Sequence, residues 1–307
     1  MALTTDPFDA TELAAYISET WTPLTLVKYF AKAIAANHFR DLSEFAQDGS
    51  DIFHVPGVFT NAFSVQTQST QGTEVTTDAP ASDDVTVTVS THKYIATLLG
   101  ALQQVQVARH YNISEIYAQK AGGTLMIDLE DVLLALWSGL STNSVGDTAT
   151  VLSDAEIRCS VEKLATLDIP LDECAWILHT FVYWVQILAV QKFYDQSQRG
   201  GTMALVPTGN FGPADANRGY HGALYGIPCY TSSRVVNGLQ TFRNLLAHKD
   251  AFGFAHQTPG ANRVRVQSAP WLANIALLTV FDTIYGVAEL RDDLGVVVNA
   301  NNAFIGS

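Results

Sequence analysis

The stretch DIFHVPGVFTNAFSVQTQSTQGTEVTTDAPASDDVTVTVST, residues 51–91, decides how the rest of the chain is read. It is built mainly from Thr, Ser, Gln, Val and Phe, and at its far end Val85, Val87 and Val89 alternate with Thr86, Thr88 and Ser90. Such alternation marks a strand whose two faces meet different surroundings. From Gln66 to Asp84 large apolar residues are almost absent, while Gly72, Pro80 and the run Ser82-Asp83-Asp84 suit a turn. The reading is a long β-hairpin with a polar tip.

Such a hairpin does not hold itself together. Ordering its backbone costs about 1 kcal/mol per residue, and the large apolar residues available are only Ile52, Phe53, Val55, Val58, Phe59, Phe63, Val65, Val75 and the three alternating valines. An isolated two-stranded ribbon is at best marginal in water. The arm therefore lies on another surface, either the chain's own body or a neighbouring subunit. At about 3.3 Å per residue the hairpin reaches roughly 60 Å, further than a compact domain extends. The neighbour is the expectation, with Phe53, Val55, Phe59, Phe63, Val85, Val87 and Val89 as the contact residues.

Working outward, the 307 residues suffice for two domains or one with insertions, and 48% hydrophobic content is ample for a core. No window approaches eighteen uninterrupted apolar residues, and the N-terminus carries Asp6 and Asp9 where a signal peptide wants Lys or Arg. A soluble protein made in a cytoplasm, with no membrane partner, is expected. Cys159, Cys174 and Cys229 have no CxxC spacing, so they read as buried thiols. The net charge of −13 with 17 Lys plus Arg argues against gripping nucleic-acid backbone. It suits either simple solubility or a surface that must not adhere to polyanions around it.

Before the arm, two short helices are expected, Ala10–Glu19 and Pro23–Phe39, the second capped by Thr22 and carrying Leu26, Tyr29, Phe30, Ala33 and Ile34 on one face. After it, Asn112–Leu140 is the strongest helical pattern, with a capping box from Asn112 and Glu115 and an apolar stripe through Ile113, Ile116, Tyr117, Leu125, Leu129, Val132, Leu133, Leu136 and Trp137. At 1.5 Å per residue it spans about 40 Å. Gly122 and Gly123 sit within it and mark either close packing or a bend; a bend that changes during assembly is the expectation. A helix at Ser153–Thr166, an apolar segment at Ala175–Phe193 and a glycine-rich passage at Gly200–Gly226 follow, with strand-like pieces at Ala204–Val206, Arg263–Val266 and Gly295–Val298. This is an α+β pattern without repeated βαβ units.

The search for chemistry finds no catalytic constellation. Asp128, Glu130 and Asp131 cluster on the long helix, but with no further hard ligand or basic partner they read as a solvated face. His179 lies in an apolar run near Cys174 and reads as a core histidine, since no third group can be named to orient its ring. The glycines around Gly209-Asn210-Phe211-Gly212 and Gly219 to Gly226 match neither a phosphate-binding GxxxxGK loop nor a GxGxxG turn, so they read as turn glycines. The remaining histidines lack metal-ligand spacing. No catalytic residue, cofactor or metal is expected.

The order of features, a helical N-arm, a long polar hairpin, a long bent helix, an α+β body and a late strand, resembles the major capsid proteins of tailed bacteriophages, with their Hong Kong 97-type fold. Local sequence adds to the likeness. Ala175-Trp176-Ile177-Leu178-His179 is similar to the family's helix leading into its axial domain, and Gly222-Ala223-Leu224-Tyr225-Gly226-Ile227-Pro228-Cys229-Tyr230-Thr231-Ser232 to its recurring G-x-L-x-G-x-P-x-x-x-S segment. His248 to Gly253 and Tyr285-Gly286-Val287 resemble stretches near the end of many phage coats. The resemblance implies an N-arm at 1–45, an E-loop at 46–93 and a peripheral domain with its spine helix at 94–150. It implies an axial domain at 151–260, a peripheral strand region at 261–284 and a C-terminal return to the axial domain at 285–307.

The function implied is self-assembly, through hexamers and pentamers, into the icosahedral head of a tailed double-stranded DNA bacteriophage. The shell is filled through a portal protein and encloses DNA without sequence-specific binding. Separate scaffolding and decoration proteins are further implied partners, and the location is the virion, assembled in the host bacterial cytoplasm. Some family members crosslink an E-loop lysine to another subunit, but this chain has no Lys from Gln47 to His92, and Lys93 lies at the arm's base. That crosslink is not expected. About forty residues precede the arm, so a separate scaffold, or none, is expected. An encapsulin-like nanocompartment shell is the alternative from the same fold; an enzyme using His179 and a tail or decoration protein are the alternatives from other classes.

Overall fold

A computed structural model of the chain describes residues 33–46, 51–56, 65–67, 74, 77–78, 84–100, 113–140, 143–147, 149–190, 220–235, 241–257, 264–271 and 276–302. The helix expected at 10–19, most of the one at 23–39, most of the hairpin tip, the cap residue Asn112 and the strand piece at 204–206 lie outside these residues. In chain order the described elements begin with helix α1 (Ala35–His38), strand β1 (Arg40–Asp41) and helix α2 (Ser43–Ala46). The arm strands β2 (Ile52–Pro56) and β3 (Asp84–Thr88), strand β4 (Thr91–Gly100) and helix α3 (Ile113–Ala135) follow. Next come β5 (Ser144–Val145), α4 (Asp154–Thr166), β6 (Cys174–His179), β7 (Tyr220–Leu224) and β8 (Ile227–Ser232). The chain ends with β9 (Thr241–His248), β10 (Phe252–His256), β11 (Arg265–Trp271), β12 (Ala276–Glu289) and β13 (Gly295–Asn301).

Two sheets carry the body. In the five-stranded sheet, β12 is the axis: β4 pairs along one of its edges, β11 and then β10 along the other, and β1 adds to β10 in parallel. The six-stranded sheet runs β5-β13-β9-β6-β8-β7. The chain crosses between these two sheets three times, from β4 to β5, from β9 to β10 and from β12 to β13. Strand β10, residues 252–256, joins the sheet of β12, and residue 285 falls inside the continuous strand 276–289.

Helix α3 follows its sequence pattern. Of the expected stripe Leu125, Leu129, Leu133 and Trp137 recur every four residues and are buried, joined by Ala121, whereas Tyr117 is exposed, and the last turn tightens to a 3-10 helix at Leu136–Gly139. The helix runs unbroken through Gly122-Gly123. A Cβ placed at Gly122 meets nothing within 4 Å, so close packing does not explain that glycine. Helix α4 starts at the expected serine: Ser153 Oγ accepts the N–H of Glu156, and the Glu156 carboxylate accepts the N–H of Ser153 at 2.6 Å.

Strand β6 corrects an expectation. Residues 175–179, likened to a helix leading into the axial domain, form a central strand paired in parallel with β8 and antiparallel with β9. A short run that is apolar at every position has no period of its own, and burial on both faces, here from Cys174 to Leu178, selects the strand. The glycine motif at 222–232 is the β7–β8 hairpin. Its two-residue loop holds Tyr225 at φ 54° and Gly226 at φ 84°, and Gly222, at φ 106°, lies at a register shift in β7.

Candidate assembly surface

The arm's root lies on the face of the five-stranded sheet opposite α3. Strands β2 and β3 pair in antiparallel register, Phe53 opposite Val87 and Val55 opposite Val85, and the N–H of Val89 donates to the Asp51 carbonyl at 2.7 Å. The alternation then sorts the side chains. Val87 and Val89 are buried with Leu42, Ala46, Ala255 and Leu290, and Phe53, Val55 and Val85 lean on the same cluster. The seven residues expected to meet a neighbour thus divide: Val87 and Val89 are enclosed by the chain's own body, three are half-buried beside them, and Phe59 and Phe63 lie outside the described residues. Each fully buried valine is worth about 2 kcal/mol, and the nearest apolar surface takes the apolar row. The opposite row turns outward, with Ile52 45% exposed and His54 hydrogen-bonded to Asp84.

The backbone passes so close to the sheet that one position must lack a side chain. A Cβ on Gly286 would lie 2.3 Å from the carbonyl oxygen of Thr88 and 2.9 Å from Cα of Val89. Beside this crossing, Asp282 is buried and takes both Arg265 Nη2, at 2.6 Å, and His92 Nε2, at 3.0 Å. The Arg265 guanidinium holds the Asp282 carboxyl below the usual carboxylate range. The three residues tie β11, β12 and β4 together at the arm's base.

Asp128, Glu130 and Asp131 are not a solvated face. Glu130 is 1% exposed, and its carboxylate accepts the backbone N–H groups of Ile34 and Ala35, both at 2.9 Å, and of Ala36 at 3.2 Å. These are donors that the first turn of a helix leaves without intrahelical acceptors. Burial pushes the Glu130 carboxyl above the usual carboxylate range, and the three N–H groups pull it part of the way back. Asp128 accepts the Tyr285 hydroxyl at 2.8 Å and stands 3.6 Å from Lys93 Nζ. Asp131 is held by the Arg234 guanidinium, whose Nε lies 2.7 Å from Oδ1. All of these partners are distant in sequence, so spacing gave no sign of them; only the acidic cluster on the helix did.

His179 stacks on Phe242 with ring centroids 4.0 Å apart, and its Nδ1 accepts the Phe181 N–H at 3.1 Å. Burial lowers its pKa. Burial likewise raises the Cys174 thiol to about 11, which opposes thiolate chemistry. Cys174 and Cys229 are buried as expected, but Cys159 is exposed on α4. A thiol reagent should therefore modify native protein rapidly at Cys159 alone; peptide mapping that finds Cys229 modified equally fast would contradict the packing. Among the described residues no cluster suited to a metal ion occurs, and no helix is long and apolar enough to cross a membrane.

No protein-family model and no curated protein sequence matches the chain. Solved structures do. A chain from Mycobacterium phage Che8 is 18% identical, with a TM-score of 0.66, 92% of this chain and 97% of that one being covered. A chain from the capsid of cyanophage P-SCSP1u is 11% identical, with a TM-score of 0.68 and 95% of each chain covered. This chain has the phage capsid fold. A capsid chain of a native GTA particle shares that fold at 12% identity, with a TM-score of 0.66 over 95% of this chain and 98% of that one. At such identities few side chains coincide, so the capsid fold is kept here by patterning and layer architecture.

Proposed function

We propose that this chain is the major capsid protein of a tailed double-stranded DNA bacteriophage, assembling with copies of itself into the icosahedral head. The observation that carries the reading is the match to capsid chains over nearly the full length of both partners. On this reading the β2–β3 ribbon is the root of the E-loop, α3 is the spine helix, the five-stranded sheet is the peripheral domain and the six-stranded sheet the axial domain. The intersubunit part of the arm is then its outer row and the residues beyond Pro56, including Phe59 and Phe63. The exposed Ile52 is the apolar anchor nearest the root. The charge of −13 fits a wall that encloses DNA without adhering to it. Portal, scaffolding and decoration proteins are the further partners of this role, and the virion is its location.

The test is negative-stain electron microscopy of the purified protein, with nucleic-acid content measured on the same particles. Closed shells, empty from the protein alone and DNA-filled from infected cells, are expected; shells filled with one protein cargo would indicate a nanocompartment instead. Ile52→Asp should leave subunit stability within about 0.5 kcal/mol, as exposed substitutions do, yet abolish shells. Normal shells from that variant would remove the outer row from the contact.

A further inference from the structure

One turn of α3 fastens three separate parts of the chain. Asp128 holds the five-stranded sheet through Tyr285 on β12 and Lys93 on β4. Glu130 holds the start of α1 through three backbone N–H groups. Asp131 holds Arg234, which lies two residues past β8 and so belongs to the edge region of the six-stranded sheet. The last tie is made by two nitrogens of one planar guanidinium to two oxygens of one carboxylate, a geometry that constrains direction as well as distance. Neither sheet can rotate about α3 without breaking a tie on this turn.

We propose that the turn Asp128–Asp131 sets the angle between the two sheets and thereby the curvature of the shell. The inference rests on the capsid reading above. A shell is built from many copies of one chain, so a small bias in the angle of each subunit recurs around the whole particle and affects the radius at which it closes. Asp131 and Arg234 are each about two-fifths exposed, at 38% and 40%, so exchanging them tests the tie without opening the core.

The experiment compares wild type with Asp131→Arg, Arg234→Asp and the double exchange. Particle diameters are measured by electron microscopy, and the distance between spin labels at Ser268 on β11 and Arg243 on β9 is measured on unassembled subunits in a Cys159→Ser background. The expected result is loss of the single narrow diameter class and a broadened label distance in each single variant, with both restored in the double exchange. Directly paired charges require that recovery. Unchanged label distances in the single variants, or a double exchange that restores neither readout, would overturn the proposal. If wild type forms no shell the capsid reading fails by itself, while the label distances still decide whether this turn holds the sheet angle.

Discussion

Replacing Gly286 by alanine or valine should detach the arm from the body. The new Cβ would sit 2.3 Å from the Thr88 oxygen and 2.8 Å from its carbonyl carbon. Both are backbone atoms, which cannot rotate away as a side-chain tip could. Relief requires lifting the β3–β4 crossing off β12, which uncovers Val87 and Val89. Overpacking costs 1–3 kcal/mol, and losing each buried valine adds about 2 kcal/mol, so a loss of about 3 kcal/mol or more is expected. The denaturation midpoint should fall, proteolysis should open between Gln47 and Asp84, and shells should be lost. Gly122→Ala is the matched control: its Cβ meets nothing within 4 Å, and helix propensity favours it by about 1 kcal/mol. A Gly286→Ala protein with an unchanged midpoint and protease pattern would show that the crossing is not held where it lies.

Glu130→Ala should be comparably severe, for a different reason. It removes the acceptor of three backbone N–H groups at Ile34, Ala35 and Ala36, and buried donors left without acceptors cost about 1–3 kcal/mol each before relaxation. A net loss of about 3 kcal/mol is expected, with hydrogen exchange accelerated first at residues 34–36. Glu130→Gln should lose less, since one oxygen remains to accept from Ile34 and Ala35 while its amide faces the Ala36 N–H. The pH dependence follows from the direction of the shift. Because burial raises the folded carboxyl above its ordinary 4.5, the folded chain binds a proton where the unfolded chain has released it. The contribution of Glu130 is therefore most favourable below the ordinary value and declines as pH rises through the folded value. The stability of wild type minus that of Glu130→Gln, from urea midpoints, should fall across that range; a rise would mean that the three hydrogen bonds outweigh burial.

Sequence patterning was informative wherever the cause is local. The helix start at Ser153, the turn glycine at Gly226 and the alternation from Val85 to Ser90 each depend on residues a few positions apart, and each is in place. The stripe of α3 was legible for the same reason. Three readings failed where the cause is distant. Residues 175–179 are a strand because β8 and β9 flank them, Cys159 is exposed because of where α4 packs, and Glu130 is buried because the segment before the arm folds back onto α3.

By itself the sequence determined that the arm has an apolar row and a polar row, that a long helix follows it, and that glycines shape the hairpin near Gly226. Those properties arise from periodicity and backbone sterics, which act along the chain. Only the tertiary structure decided what each row meets. Hydrophobic burial is non-directional, so Val87 and Val89 could satisfy it on a neighbour or on Leu42, Ala255 and Leu290. They meet the latter because Gly286 lets the backbone come down onto β12. The same holds for the acidic turn of α3, where charge is visible in the residues but its partners, Tyr285, Arg234 and the start of α1, are brought to it only by the packing of the folded chain.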